Sequence, residues 1–387
     1  MQFAKRMERL GTETAFAVLA RARQLEAQGK HIVHLEIGEP DFDTPQHIID
    51  AACEALNSGF THYGPSAGDP EFRAVIAEHL NKNRGTNYTT DNITVVFGAK
   101  PIIYWGITAC VNEGEEVIYP NPGFPIYESM INFVGAVPVP CPLREENDFR
   151  FDVDELASLV TDKTKMLIIN SPQNPTGGVL EPGDLERIAA LAIDKDLWVM
   201  SDEPYERIIY EGSHHSIAAI DGMQERTIML DCFSKMFAMT GWRLGWGATN
   251  PELAQQLAKL QTNCTSCVAA FTQRAGIAAL QGSFEESDKM VAEFKRRRDV
   301  IVDGLNAIDG ITCLRPKGAF YVFPNITGTG LSSKELETRL LDEAGVACLA
   351  GTSFGKYGDG YLRFSYANSV ENIELALSRI KEFLAKQ

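Results

Sequence analysis

Positive charge is scarce in this sequence: 36 Lys and Arg stand against 52 Asp and Glu, a formal net charge of −16. Such a surface repels a phosphate backbone or an anionic lipid headgroup, so neither nucleic acid nor membrane is an expected partner. No run approaches the roughly twenty apolar residues that a membrane span needs. The opening MQFAKRMERLGTETAF has no compact apolar core of a signal peptide. The expected location is therefore the cytoplasm. Cysteine is sparse as well: eight are scattered over 387 residues, without the density or pairing of a disulfide scaffold. The one C-x-x-C, Cys264 and Cys267, has no second pair or histidine cluster to complete a metal site, so it reads as two reduced thiols and no metal is expected. Internal repeats, low-complexity tracts, long Gly/Ser linkers and a G-x-x-x-x-G-K-[ST] phosphate loop are all missing.

What is there is 44% hydrophobic residues, enough for two packed lobes or one large domain with a satellite. From about residue 94, short apolar runs alternate with amphipathic stretches: ITVVF (93–97), EVIYP (116–120), KMLIIN (165–170), LWVMSD (197–202) and TIMLDCF (227–233). Runs of that length between helical patterns predict an α/β fold with a mostly parallel, doubly covered sheet. Several end in polar residues such as Asn170 and Asp202, or are followed closely by Ser234. Open α/β sheets bind ligands beyond the carboxyl ends of their strands, so the site is expected there. Beyond about 285 the pattern becomes α+β, with a charged helix near 291–305, short strands near ITCLRP and AFYVFP, and helices over 332–344 and 370–386. The spacing predicts a large domain over 46–285 and a discontinuous small domain from 1–45 and 286–387. In it the N-terminal helix (about 13–29) packs with the C-terminal lobe.

In LDCFSKMFAMTGWRLGW (230–246) an apolar strand runs into Ser234 and Lys235, and Arg243 follows in a Gly-flanked aromatic segment. An amine held in apolar surroundings frees its lone pair for attack on a carbonyl; the alternative is a lysine that snorkels to the surface. In LWVMSDEPY, Asp202 ends an apolar run, and a buried carboxylate needs a cationic partner. NSPQNPTGG (170–178) reads as a rigid loop carrying Asn174, and GAK (98–100) opens a helix whose first backbone N–H groups can cradle a phosphate.

Together FSKMFAMTGWRLG, VMSDEPYE, NSPQNPTGG, IGEPDF and YLRFSYAN resemble the class I/II aminotransferases of the fold-type I pyridoxal-phosphate family, closest to the bacterial aspartate aminotransferase-like branch. The resemblance spans nearly the whole chain. It implies a seven-stranded, mostly parallel sheet, pyridoxal 5'-phosphate as cofactor, and amino acids and 2-oxo acids as substrates. It implies Lys235 as the Schiff-base lysine, Asp202 as partner of a protonated pyridine nitrogen, and Asn174 and Tyr205 as partners of the ring oxygen. Phe124 matches the aromatic on the ring face. Ala99, Lys100, Ser234 and Arg243 match the phosphate site. Tyr63, in THYGPSAGDP, matches a tyrosine that reaches the neighbouring subunit's phosphate, which implies a homodimer with shared sites. Arg363 matches the arginine that grips the substrate's α-carboxylate, where its planar fork makes two parallel bonds, and Gly38 matches the backbone that closes over it. Lys100 either meets a distal substrate carboxylate or contributes only its backbone N–H.

The implied reaction is ping-pong transamination, in which Lys235 both anchors the cofactor and carries the α-proton. A carbon–sulfur β-lyase is the rival activity on the same site. A non-catalytic regulator on this fold would need a DNA-binding module, for which fewer than forty residues precede IGEPDF.

Overall fold

The computed structural model describes residues 2–387. Among them, twelve strands form three sheets: β1 (Val33–His34), β2 (Ile93–Val96), β3 (Glu116–Asn121), β4 (Val137–Pro142), β5 (Thr164–Asn170), β6 (Trp198–Asp202), β7 (Thr227–Cys232), β8 (Gly245–Ala248), β9 (Tyr321–Val322), β10 (Val346–Ala347), β11 (Leu349–Ala350) and β12 (Leu362–Ser365). The large sheet has seven strands in the order β2-β8-β7-β6-β5-β3-β4. It is parallel from β7 through β4, while β8 runs antiparallel to both neighbours.

All five apolar runs become strands of this sheet, because each is buried on both faces and rich in Val, Ile, Leu and Met. The other two strands carry no such signature. β4 reads VPVPCP, and it occupies the sheet edge, where a proline's missing N–H costs no ladder bond. β8 reads GWGA, and its glycine is steric: a Cβ on Gly245 would lie 2.8 Å from both the Asp231 oxygen and the Gly98 carbonyl carbon.

Two expectations for the C-terminal part and one for the N-terminal helix need correction. ITCLRP makes only an isolated bridge, Thr312 to Asn325, and is not a strand. The Asn306 side chain takes both the N–H and the C=O of Cys313, so those groups are lost to a ladder. The helix expected over 332–344 is α-helical only for Ser333–Arg339 and continues as a π turn, Leu340–Ala344. The N-terminal helix spans Ala15–Glu26, and its buried Val18, Ala22 and Leu25 join a core that contains Ile118 and Phe149 as well as Leu349 and Phe354. It therefore packs against both the large sheet and the C-terminal elements.

β1 pairs in parallel with β10, and Val33 and Leu35 share one core with Phe294, Phe320, Phe364 and Ile380. This pairing brings the loop that follows β1, with Gly38, over the carboxyl ends of the large sheet. Among the described residues no helix is long and apolar enough to cross a membrane.

Candidate active site

A cavity of about 450 Å³ lies at the carboxyl ends of β5, β6 and β7. A larger hollow of about 680 Å³ beside Asp43 and Trp242 contains none of Lys235, Asp202 and Arg363, so the chemistry belongs to the smaller one. Its lining brings together Gly38, Ala99, Lys100, Phe124, Asn174, Asp202, Tyr205, Ser234, Lys235, Arg243 and Arg363. Of the residues singled out in the sequence only Tyr63 stands elsewhere, 90% exposed on the surface.

Lys235 is not on a strand. β7 gives way to a single helical turn, Phe233–Met236, which swings the lysine into the cavity. Its Nζ donates to the Gly38 carbonyl at 2.5 Å and lies 6.0 Å and 5.7 Å from the ring centres of Tyr205 and Phe320. Gly38 can come this close because it has no side chain: a Cβ there would sit 1.9 Å from the Tyr321 hydroxyl.

Asp202 is the last residue of β6 and is buried. Burial pushes its pKa up to about 7; a hydrogen bond donated by the Tyr127 hydroxyl to Oδ2 opposes this rise, and the neighbouring Glu203 adds to it. Glu203 shows the opposite outcome one residue on. Its burial is outweighed by Arg84, at 2.7 Å, and by His214, which hold it down to about 2. The difference is a cation: Glu203 has Arg84, whereas Asp202 has a neutral phenol.

Arg363, on β12, is buried between the rings of Tyr321 and Phe354, at 4.5 Å and 4.9 Å. Its Nη1 donates to Asn174 Oδ1 at 3.1 Å and its Nη2 to the Glu36 carbonyl, while Nε is buried without a partner. A buried guanidinium with an unused donor fits a carboxylate ligand. Tyr205 meets the Tyr321 hydroxyl at 2.8 Å, and burial raises the Tyr205 pKa well above its usual value, so its hydroxyl keeps its proton.

The opposite end of the cavity is built for an anion. The helix Lys100–Cys110 starts there with Pro101 in its first turn, leaving the amides of Ala99 and Lys100 without intrahelical partners. Arg243 reaches the same place from a left-handed backbone, φ 54°, with Nη1 held by the Thr240 carbonyl at 2.9 Å. Gly98 needs its glycine twice over: φ is +85°, and a Cβ would lie 2.4 Å from Arg243 Nη2. The Phe124 ring forms the remaining wall, edge to face with Tyr127 at 5.9 Å.

Three participants escaped the sequence reading. Tyr127 follows Phe124 by three positions, which was a usable signal, but its hydrogen bond to Asp202 crosses from one element to another. Tyr321 lies in AFYVFP, which reads as core. Glu13 lines the cavity mouth, where its carboxylate pairs with the Lys100 ammonium. Among the described residues no cluster of His, Cys, Asp and Glu could hold a metal ion.

Known proteins resemble this chain in both sequence and fold. Residues 30–380 match the family model for aminotransferase class I and II. An aspartate aminotransferase of Pyrococcus abyssi is 47% identical over 92% of this chain and 93% of its own. An aromatic-amino-acid aminotransferase of Thermococcus litoralis is 43% identical over 93% and 94%. The solved Thermus thermophilus aspartate aminotransferase with maleate superposes with a TM-score of 0.94 at 36% identity, covering 99% of both chains. A buried carboxylate, a cavity lysine and a buried arginine with an unused donor thus sit in a chain whose sequence and fold agree over nearly its whole length: it belongs to the class I and II aminotransferases, and it is a transaminase.

Proposed function

We propose that this transaminase uses pyridoxal 5'-phosphate to move an amino group from an L-amino acid to a 2-oxo acid by a ping-pong mechanism, with aspartate and 2-oxoglutarate as a substrate pair. The convergence of Lys235, Asp202 and Arg363 on one cavity carries this reading. The residues present fit the cofactor. Asp202 is a buried carboxylate without a cation, and Gly98 leaves room for Arg243 beside a helix start suited to a phosphate. When bound, the cofactor supplies an electrophilic carbonyl and a ring that accepts the electron pair released at the substrate's α-carbon.

The protein's part is to bind, orient and move a proton. Arg363 takes the substrate's α-carboxylate with its unused donor, beside Asn174 and the closing backbone of Gly38. Asp202 would hold a positive charge at the ring nitrogen. Tyr205 and Asn174 would hydrogen-bond the ring oxygen, and Phe124 would cover the ring face. Ala99, Lys100, Ser234 and Arg243 would hold the phosphate. Lys235 Nζ would be the base that takes the substrate's α-proton and, once protonated, the acid that gives it back. Lys100 supplies a cation for a distal substrate carboxylate, and the aspartate aminotransferase relatives support an acidic donor.

The exposure of Tyr63 supports a homodimer in which this residue reaches the neighbouring site's phosphate. Eight free cysteines are in keeping with a cytoplasmic location.

An absorbance titration tests the reading. The purified protein with added cofactor should show a band near the visible edge that is lost with one amino acid and restored by a 2-oxo acid. Lys235→Ala should lose both the band and turnover. Normal turnover by that variant would sink the mechanism, and release of pyruvate and ammonia without an acceptor would mark a carbon–sulfur β-lyase instead.

A further inference from the structure

The mouth of the cavity carries a charge pair that the reaction itself does not need. Just before the helix Ala15–Glu26 the chain passes over the cavity. It is tied down at Gly11, whose N–H donates to Ser129 Oγ at 3.0 Å and whose carbonyl accepts from it at 3.2 Å. Two residues on, the Glu13 carboxylate binds the Lys100 ammonium, which lies 5.2 Å from the centre of the Phe124 ring. Glu13 is also close enough to act on the Arg363 guanidinium. Around the pair the wall is apolar, formed by Ala15, Phe16, Ile37 and Ile103.

Lys100, Arg243 and Arg363 put three cations on the lining; the cofactor phosphate and the substrate's α-carboxylate would answer Arg243 and Arg363 at the two ends, and Lys100 faces the space left for the substrate side chain. Without Glu13, an uncharged side chain would leave the Lys100 ammonium unpaired beside an apolar wall. With Glu13 in place that ammonium is already satisfied, and an apolar or aromatic side chain can lie along the wall.

The pair is also displaceable. The two side chains are 42% and 24% exposed, and ion pairs open to solvent contribute roughly 0.2–1 kcal/mol. An acidic side chain entering the cavity carries the same carboxylate chemistry as Glu13 and can take its place on Lys100.

We propose that Glu13 is a specificity-determining residue, an internal carboxylate that occupies Lys100 when the substrate side chain is uncharged and yields Lys100 when the side chain is acidic. This rests on the transaminase site described above and assigns that site two substrate classes, acidic and aromatic or apolar, read by one exchange of ion-pair partners.

The test uses binding as well as turnover. Succinate and 3-phenylpropionate are unreactive carboxylates that carry, respectively, an acidic and an aromatic distal group. In calorimetric titration of the holoenzyme, Glu13→Gln should bind succinate about 1.5–5-fold more tightly, because the competing charge worth up to about 1 kcal/mol is gone. Its affinity for 3-phenylpropionate should rise less or fall. In turnover, the ratio of kcat/KM for aspartate over phenylalanine should rise by a similar factor, mainly through KM for aspartate. Glu13→Ala should move both measurements the same way, and it carries the test if the glutamine variant does not fold. An equal change for both ligands, or weaker succinate binding, would overturn the proposal while leaving the transaminase reading intact. Loss of binding of both ligands in the unaltered enzyme, together with no turnover of any amino acid, would overturn the site itself and the proposal with it.

Discussion

Asp202→Asn separates what the site costs from what it does. In the protein without cofactor this carboxylate is buried at the end of β6, with the Tyr127 hydroxyl as its partner, and its pKa rises from the ordinary 3.8 to about 7. A group whose pKa is raised on folding favours the folded state most when protonated. Its contribution is therefore full below about pH 4 and lost as pH climbs through 7. At about 1.4 kcal/mol per pH unit, the rise amounts to about 4 kcal/mol of stability missing above pH 7. That is a large fraction of the roughly 5–15 kcal/mol that holds a typical protein folded. Asparagine has the same shape, still accepts from Tyr127 and carries no charge. Urea denaturation of the cofactor-free proteins at pH 5, 7 and 8.5 should show the variant increasingly more stable than the parent, approaching about 4 kcal/mol at the highest pH. Adding cofactor should reverse the order, since only the parent offers an anion to the ring nitrogen, and turnover should collapse in the variant. Parallel pH dependences for the two cofactor-free proteins would show that Asp202 ionises freely and that the site does not hold a buried charge in waiting.

Other perturbations probe its surroundings. Arg363→Lys keeps the charge and loses the planar fork, so kcat/KM should fall about 10–100-fold through KM, the loss of one charge-assisted bond of about 1.5–3 kcal/mol; unchanged saturation would move the carboxylate site elsewhere. Tyr127→Phe removes the bond that holds the Asp202 pKa down, so cofactor affinity near pH 6–7 should weaken about tenfold; a cofactor titration against pH that matches the parent would refute this. His34 is raised to about 9, chiefly by its hydrogen bond to Glu36 and despite partial burial. That support is complete below pH 6.5 and disappears as pH rises through 9. A pH series of denaturation curves should show the parent losing, across that window, on the order of 1 kcal/mol that His34→Gln does not lose, the ring being solvent-screened.

The sequence by itself determined the central strands and the chemical inventory, for a physical reason. Strands buried on both faces must be continuously apolar, so ITVVF, EVIYP, KMLIIN, LWVMSD and TIMLDCF declare themselves, and the polar residues at or just beyond their ends mark the ligand side. β4 and β8 were silent because their sequences answer to position, an edge that tolerates proline and a backbone contact that admits only glycine. ITCLRP misled because one side chain, Asn306, takes the backbone groups a strand would have used. At the site, the motifs named Lys235, Asp202 and Arg363 but could not say what faces them. Gly38 against Lys235, Tyr127 under Asp202, Asn174 beside Arg363 and Glu13 on Lys100 are contacts between residues 75 to 197 positions apart. Local pattern reports which face of an element is buried. Only the tertiary structure, with β1 paired in parallel to β10 and the loop after β1 lining the cavity at the carboxyl ends of the large sheet, decides which charges meet.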